Sequence, residues 1–159
     1  MISLRKLTDS DRAAIKKWPV YAGDLEQMDY ALRENGWLDE IRSNTDVSLY
    51  AATDGDELIG FSLLAKTGAG EAEFRIAVRA DKIGQRLGET ITTLTLRAGF
   101  EELELSRIHL IVRRNNSRGI RLYQRVGFTG CGECRKEIRG CLVDFLKMEI
   151  TNRRDCTHA

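Results

Sequence analysis

The sequence holds a single proline, Pro19, and no internal repeat, low-complexity stretch or linker. Nothing therefore divides its 159 residues, a length that suits one domain with a real core. No apolar run is long enough to cross a bilayer, so no membrane partner is expected. The opening "MISLRKLTDSDR" turns polar within a few residues and lacks the apolar region of a secretory signal, so a cytoplasmic location is expected. A formal net charge of +1 gives no global attraction for nucleic acid or anionic lipid, and neither is expected as a partner. Histidine is scarce: His109 and His158 stand alone. The C-x-x-C pair Cys131 and Cys134 in "CGEC" thus lacks the second ligand pair of a structural zinc site, and no metal is expected. A redox pair belongs at a helix N-terminus, whereas "CGEC" sits in strand-like surroundings. With Cys141 and Cys156, these cysteines read as ordinary thiols of a reducing compartment.

What is present is a globular composition, 42% apolar and 31% charged. Residues 1–8, "MISLRKLT", put Ile2 and Leu4 on one side and read as a strand. Thr8 with Asp11 three residues on forms a capping-box variant, and the helix it starts should reach about Trp18, where Pro19 stops it. Residues 24–43 carry helical spacing through Leu25, Met28 and Leu32, then Trp37, Leu38 and Ile41. "VSLYAAT", the turn "DGDE" and "LIGFSLLAKTG" read as two strands joined by a tight loop, and "EAEFRIAV" as a third with Phe74, Ile76 and Val78 on one face. A long helix is expected from about Gln85 to Leu103, with a stripe of Leu87, Ile91, Leu94 and Ala98 widened by Leu96, Phe100 and Leu103. "RIHLIV" is β-branched and strand-like. "NNSRGIRLYQRVGF" offers a polar cap, three helical turns and Gly127 as a left-handed stop. Two strands joined near Gly140 close the chain, and the polar tail from about Thr151 should fray. The order β-α-α-β-β-β-α-β-α-β-β implies an α/β domain with a mixed sheet.

The join between "EAEFRIAV" and the next helix is a candidate anion site. The first helical turn leaves its N–H groups without intrahelical partners, and the helix dipole adds positive potential. Gly84 and Gly88 reduce side-chain bulk there, or they serve only a turn and close packing. Downstream, Asn116 stands at a helix start and Tyr123 two turns along on about the same side. Asn116 is either a plain cap or a contact for a cofactor's polar chain. Tyr123 is either a core aromatic with a satisfied hydroxyl or a proton donor.

From about Glu71 to Ile150 the chain resembles the GNAT superfamily of acyl-CoA-dependent N-acetyltransferases. "FRIAV", "IGQRLG" and "NNSRGIRLYQRVGF" match that family's acetyl-CoA motifs in order and spacing. The family's turn reads Q/R-x-x-G-x-G/A; here Ile83 holds its first position, Arg86 its first glycine and Gly88 its last small residue, so two positions depart. The segment with Asn116, Tyr123, Gly127 and Phe128 is complete. The ending "CRKEIRGCLVDFLKMEI", with Gly140, Asp144 and Met148, is similar to the branch of ribosomal-protein N-terminal and spermidine acetyltransferases. The N-terminal part matches mainly in the order of its elements.

The resemblance implies a GNAT-like α/β domain over residues 1–150, with a tail at 151–159. It implies a mixed, mostly antiparallel sheet of about seven strands and about four helices. It implies transfer of an acetyl group from acetyl-CoA to a primary amine by direct attack: a polyamine, an aminoglycoside, an amino acid or a peptide N-terminus. In that reading Tyr123 is the general acid, and the base is Glu73 first, Glu71 second, or a water chain. Both glutamates also read as solvated strand-face carboxylates. Backbone at Ile76, Ala77 and Val78 would hold the pantetheine and acyl group, with the oxyanion donor near Ala77 or Val78. Ile83, Gly84, Gln85, Arg86, Leu87 and Gly88 would take the pyrophosphate, and Asn116 and Tyr123 would face the pantetheine side. Homodimers are common in the family, and a non-catalytic acyl-CoA-binding regulatory module is the rival function.

Two charge patches remain. Arg113, Arg114, Arg118, Arg121 and Arg125 read as a solvated helix face or as CoA phosphate contacts. Asp24, Glu26, Asp29, Glu34, Asp39, Glu40 and Asp46, against Arg33 and Arg42, read as an ordinary surface or as the wall of a cationic-acceptor site, which Trp18, Tyr30 and Trp37 could line.

Overall fold

A computed structural model describes residues 1–18, 46–82, 86–138 and 140–152. The helix expected over 24–43, Pro19, Tyr30, Trp37, the acidic stretch apart from Asp46, and the tail from 153 lie outside the described residues. The chain runs β1 (Ile2–Lys6), α1 (Asp9–Lys16), β2 (Val47–Asp54), β3 (Glu57–Gly68), β4 (Glu71–Val78), α2 (Leu87–Arg97), β5 (Arg107–Arg113), α3 (Ser117–Val126), β6 (Thr129–Ile138) and β7 (Cys141–Thr151). The sheet has seven strands in the order β1-β2-β3-β4-β5-β7-β6. Its pairings are antiparallel at β1/β2, β2/β3, β5/β7 and β6/β7, and parallel at β4/β5. This is the mixed, mostly antiparallel sheet that the sequence implies, with three α-helices among the described residues.

The residues group into two compact units. One takes described residues from 1–65 and 75–95, the other from 66–74 and from 96 onward. In the first unit the sheet is buried on both faces, because strand alternation sends neighbouring residues to opposite sides. Ala51, Phe61 and Ala77 pack with Leu7, Ile15 and Trp18 on the α1 side. Ala52, Ile59 and Val78 pack with Ile91 on the α2 side. Trp18 is therefore a core residue, its ring centroid 6.3 Å from that of Phe61.

Helix α2 differs from the expected stripe. Ile91, Thr92, Thr95 and Leu96 are buried, Leu94 is only partly so, and Leu103 is exposed. Threonine tolerates burial here because its hydroxyl finds backbone: Thr92 donates to the Gly88 carbonyl at 2.7 Å and Thr95 to that of Ile91 at 2.8 Å. Thr95 also meets Ser62 of β3 at 2.6 Å. The helix continues as a wider π turn over Ala98–Glu102, closed by Leu103 N–H to the Ala98 carbonyl at 3.1 Å.

In the second unit β5 alternates cleanly. Ile108, Leu110 and Val112 are buried, and Arg107, His109, Ile111 and Arg113 are half-buried on the other face. Strand β7 runs beside it through Thr151, so the chain stays in the sheet to the point where fraying is expected, and Met148 packs opposite Leu110.

The start of α1 shows how local sequence fixes local structure. The Thr8 hydroxyl accepts from Asp11 N–H at 3.2 Å, and the Asp11 carboxylate accepts from Thr8 N–H at 2.8 Å. Arg5 adds a two-pronged ion pair to the same carboxylate at 2.6 and 2.9 Å. The Arg5 hydrogen bonds, against the cost of burial and with help from Thr8, hold the Asp11 carboxyl down at about 2 from an ordinary 3.8. A depressed acid stabilises the fold above its ordinary pKa and loses that contribution as pH falls through the folded value. Asp11→Ala is expected to cost on the order of 2 kcal/mol at neutral pH in urea unfolding. The gap between variant and wild type should narrow progressively as pH falls from about 4 towards 2.

Candidate active site

The end of β4 is held by Arg79. Its N–H donates to the Ile59 carbonyl at 2.8 Å, and its guanidinium binds Glu57, Asp81 at 2.6 Å and the Leu58 carbonyl at 3.1 Å. Its hydrogen bonds to Asp81 and then to Glu57 raise the Arg79 pKa above its ordinary value. Those contacts tie β3 to the single 3-10 turn at Ala80–Lys82 and so fix where the chain leaves the sheet. Ile83, Gly84 and Gln85 lie outside the described residues. At Arg86 the backbone turns left-handed, with φ of 60°. That is the conformation glycine adopts without penalty and a side chain adopts at a cost. Arg86 therefore keeps the backbone shape that a glycine would give the turn, with its own side chain exposed. Its carbonyl accepts the first bond of α2, from Thr90 N–H at 3.4 Å. Leu87, Gly88 and Glu89 fill the first turn, whose N–H groups have no partner within the helix. Ile76 and Val78 of β4 and Leu87 of α2 belong to one hydrophobic cluster with Ile91, so the strand and the turn are brought together.

Strand alternation also orients the backbone of β4. The Arg79 N–H reaches β3, so the amide and carbonyl of Ala77 point towards β3 and those of Ile76 and Val78 point away from it. Consistent with this, a Cβ added at Gly60 of β3 would lie 2.9 Å from the Ala77 carbonyl oxygen. Of the two residues named for an oxyanion donor, Val78 has the outward-facing backbone and Ala77 does not.

In the second unit, the Asn116 side-chain carbonyl caps α3 by accepting from Gly119 N–H at 2.9 Å. A Cβ at Gly119 would meet the Asn116 amide nitrogen at 2.6 Å, so glycine is what lets the cap seat. At the other end Gly127 takes φ of 123° and ends the helix, and Phe128 N–H returns to the Tyr123 carbonyl at 2.9 Å. This folds Phe128 back on Tyr123, ring centroids 5.7 Å apart and edge-on, while Phe74 of β4 meets Tyr123 edge-on at 6.2 Å. Burial pushes the Tyr123 phenol up to about 12, although part of the residue still touches solvent. Its hydroxyl has no hydrogen-bond partner among the described residues, unlike a core tyrosine satisfied by backbone.

Glu73 lies opposite His109 in the parallel β4/β5 ladder, and Glu71 lies opposite Arg107. Paired residues share a face. On that face Arg107 binds Glu149 of β7 at 2.6 Å and lies 3.7 Å from Glu71. His109 Nε2 meets the Thr67 hydroxyl of β3 at 2.9 Å. Burial, and after it the Arg107 charge, lower the His109 pKa; Glu73, Glu71 and Glu149 pull the other way. Sequence spacing leaves His109 isolated, because the ladder register that sets it beside Glu73 joins residues from separate strands.

The proposed roles fall in both units. Ile76, Ala77, Val78, Arg86, Leu87 and Gly88 lie in the first; Glu73, Asn116 and Tyr123 lie in the second. Arg114, Arg118, Arg121 and Arg125 are exposed, and Arg114 pairs with Glu133 at 3.4 Å. Cys131, Cys134 and Cys141 are free thiols, the first two on β6 as the strand reading expects. Among the described residues no group of three or more His, Cys, Asp or Glu could hold a metal ion, and no helix is long and apolar enough to cross a membrane.

Strand β4, the left-handed Arg86 before α2 and the Asn116-capped α3 are the elements on which the resemblance in the sequence rests. The model of the acetyltransferase (GNAT) domain matches residues 2–129, and the chain belongs to that family. A spermidine N(1)-acetyltransferase of Escherichia coli K12 is 33% identical over 66 residues, which cover 42% of this chain and 36% of that protein. The match thus spans about a third of the relative's length. A spermidine N-acetyltransferase chimera of Vibrio cholerae and hSSAT superposes with a TM-score of 0.80 at 23% identity, covering 98% of each chain. The Vibrio cholerae spermidine N-acetyltransferase in complex with CoA and spermine gives 0.75 at 22% identity, covering 96% of each. These two similarities establish the fold.

Arg86→Gly should relieve the left-handed strain and raise stability by about 1 kcal/mol in chemical denaturation. A loss of stability would mean that the arginine side chain contributes more than its backbone costs.

Proposed function

We propose that the protein is an acetyl-CoA-dependent N-acetyltransferase that moves an acetyl group to a primary amine by direct attack in a ternary complex. The observation that carries this is Tyr123: a phenol pushed to about 12, with no described partner for its hydroxyl, on the motif helix of an acetyltransferase family. Such a phenol stays protonated at any working pH and can donate a hydrogen bond to a leaving sulfur. A CoA thiol has a pKa of roughly 8.5, below that of the phenol, so transfer from phenol to thiolate is uphill by itself and goes through only where the phenol is reprotonated in the same step. The attacking nitrogen gives up its own proton in the same collapse, which restores the phenol.

The other roles follow from physical fit. Backbone at Ile76 and Val78 turned away from β3 supports a pantetheine amide laid along β4 like an added strand, with the oxyanion met by a β4 amide near Ala77 or Val78. The N–H groups of Leu87 and Gly88, at the start of α2 where the helix dipole is positive, suit the pyrophosphate. Asn116 spends its carbonyl on the cap, which leaves its amide for the pantetheine side. Glu73, opposite His109 in the β4/β5 ladder, is placed to assist removal of the acceptor's proton, directly or through that ring. Among acceptors we favour a polyamine: the Escherichia coli relative is a spermidine acetyltransferase, and residues 24–46 carry seven acids against two arginines. Residues 1–150 would form the catalytic domain.

Calorimetric titration should show CoA binding, and no binding at millimolar CoA would overturn the reading. Tyr123→Phe should lower turnover about 100-fold with little change in CoA affinity. An unchanged rate would remove Tyr123 from the mechanism, and tight CoA binding without transfer to any amine would favour a regulatory binding module.

A further inference from the structure

The polar face of the second unit brings together groups from four strands. Glu71 and Glu73 come from β4, Arg107 and His109 from β5, Glu149 from β7 and Thr67 from β3. Lys147 follows two residues before Glu149 on the same face of β7. Arg107 binds Glu149 at 2.6 Å and lies 3.7 Å from Glu71. The His109 ring is held from one side only: Nε2 lies 2.9 Å from the Thr67 hydroxyl, and Nδ1 has no hydrogen-bond partner among the described residues. If the Nε2–H donates to Thr67, the Nδ1 lone pair stays open, and the same bond survives when the ring is protonated.

We propose that His109 is the group that takes the proton from the acceptor ammonium, and that Glu73, its ladder partner, steadies the imidazolium that results. The inference rests on the acetyltransferase reading and deepens it. The ammonium N–H bond breaks, its proton moves to Nδ1, and the amine lone pair becomes the nucleophile. Glu73 remains a carboxylate throughout. After transfer the imidazolium releases that proton to water, while the second proton lost by the nitrogen reaches the thiolate through Tyr123. One proton leaves per acetyl group moved.

Proton affinity favours the imidazole over the carboxylate for this step. An alkyl ammonium has a pKa of ~10, a glutamic acid ~4.3 and an imidazole ~6.5. Transfer to glutamate is uphill by about six powers of ten and to histidine by about four. Burial and Arg107 hold His109 below the ordinary value, which keeps it neutral and ready near neutral pH. The division of labour resembles any histidine base backed by a carboxylate, in which the acid orients and stabilises the ring without itself taking the proton.

The decisive experiment is the pH dependence of kcat/KM for wild type and His109→Gln, with CoA affinity by calorimetry as the control for folding. Wild type should show an acid limb that inflects below 6.5, with activity rising as His109 loses its proton. His109→Gln should lose about 100-fold in kcat/KM and the inflection, and keep its CoA affinity. A variant that keeps both rate and inflection overturns the role of His109 and leaves the acetyltransferase reading standing. A wild type that binds CoA and transfers to no amine overturns both. The imidazole can also be titrated directly by proton NMR; the chain has two histidines, and His109→Gln identifies the resonance. The His109 titration should fall below 6.5 and fall further in Glu73→Gln, because the glutamate charge favours the protonated ring. An unchanged midpoint in Glu73→Gln overturns the pairing.

Discussion

Strand β4 repeats every two residues, and that period decides which chemistry faces which way. On one face Glu71 and Glu73 join the polar groups of β5 and β7. On the other, Phe74 meets Tyr123. The same alternation turns the Ala77 backbone towards β3 and leaves Ile76 and Val78 with the opposite orientation. A shift of one residue would reverse each of these assignments together. Arg79 guards against such a shift: it bonds the Ile59 carbonyl through its backbone and Glu57, Asp81 and the Leu58 carbonyl through its side chain. The register of β4 is thereby pinned at its end.

Functional geometry beyond β4 comes from helix ends. The turn before α2 keeps a left-handed residue although an arginine occupies it, so the backbone shape is preserved at some cost in strain. The turn before α3 depends on Gly119 giving Asn116 room to cap, and the turn after it depends on Gly127 returning Phe128 to the Tyr123 ring. In each case the helix itself is ordinary, and the residue that matters lies at or next to a terminus.

Much of this was legible from local pattern. Thr8 and Asp11 announce a capped helix, alternation marks β4 and β5, and Asn116 to Phe128 spell out a complete helical motif. Two things were not. The buried side of α2 includes Thr92 and Thr95, which hydrophobic spacing passes over because it cannot see hydroxyls bonded to backbone four residues back. His109 was unreadable for a different reason. Its neighbours Glu73 and Thr67 are 36 and 42 residues away, and only the register of a parallel ladder and the reach across β4 bring them together. Arg86 sits between these cases: the motif shows that a glycine is missing, and only the dihedral angle shows that the turn is retained.

In the proposed direct transfer the protein would hold both substrates and move protons without carrying the acetyl group itself. That transfer is tested most directly by incubating the protein with acetyl-CoA labelled in the acetyl carbonyl and with spermidine, and following the label by mass spectrometry. Direct transfer predicts label in an amide of the polyamine, an equal amount of free CoA, and no labelled protein at any time. Free CoA without labelled amide, or an acetylated protein that forms before the product, would contradict it.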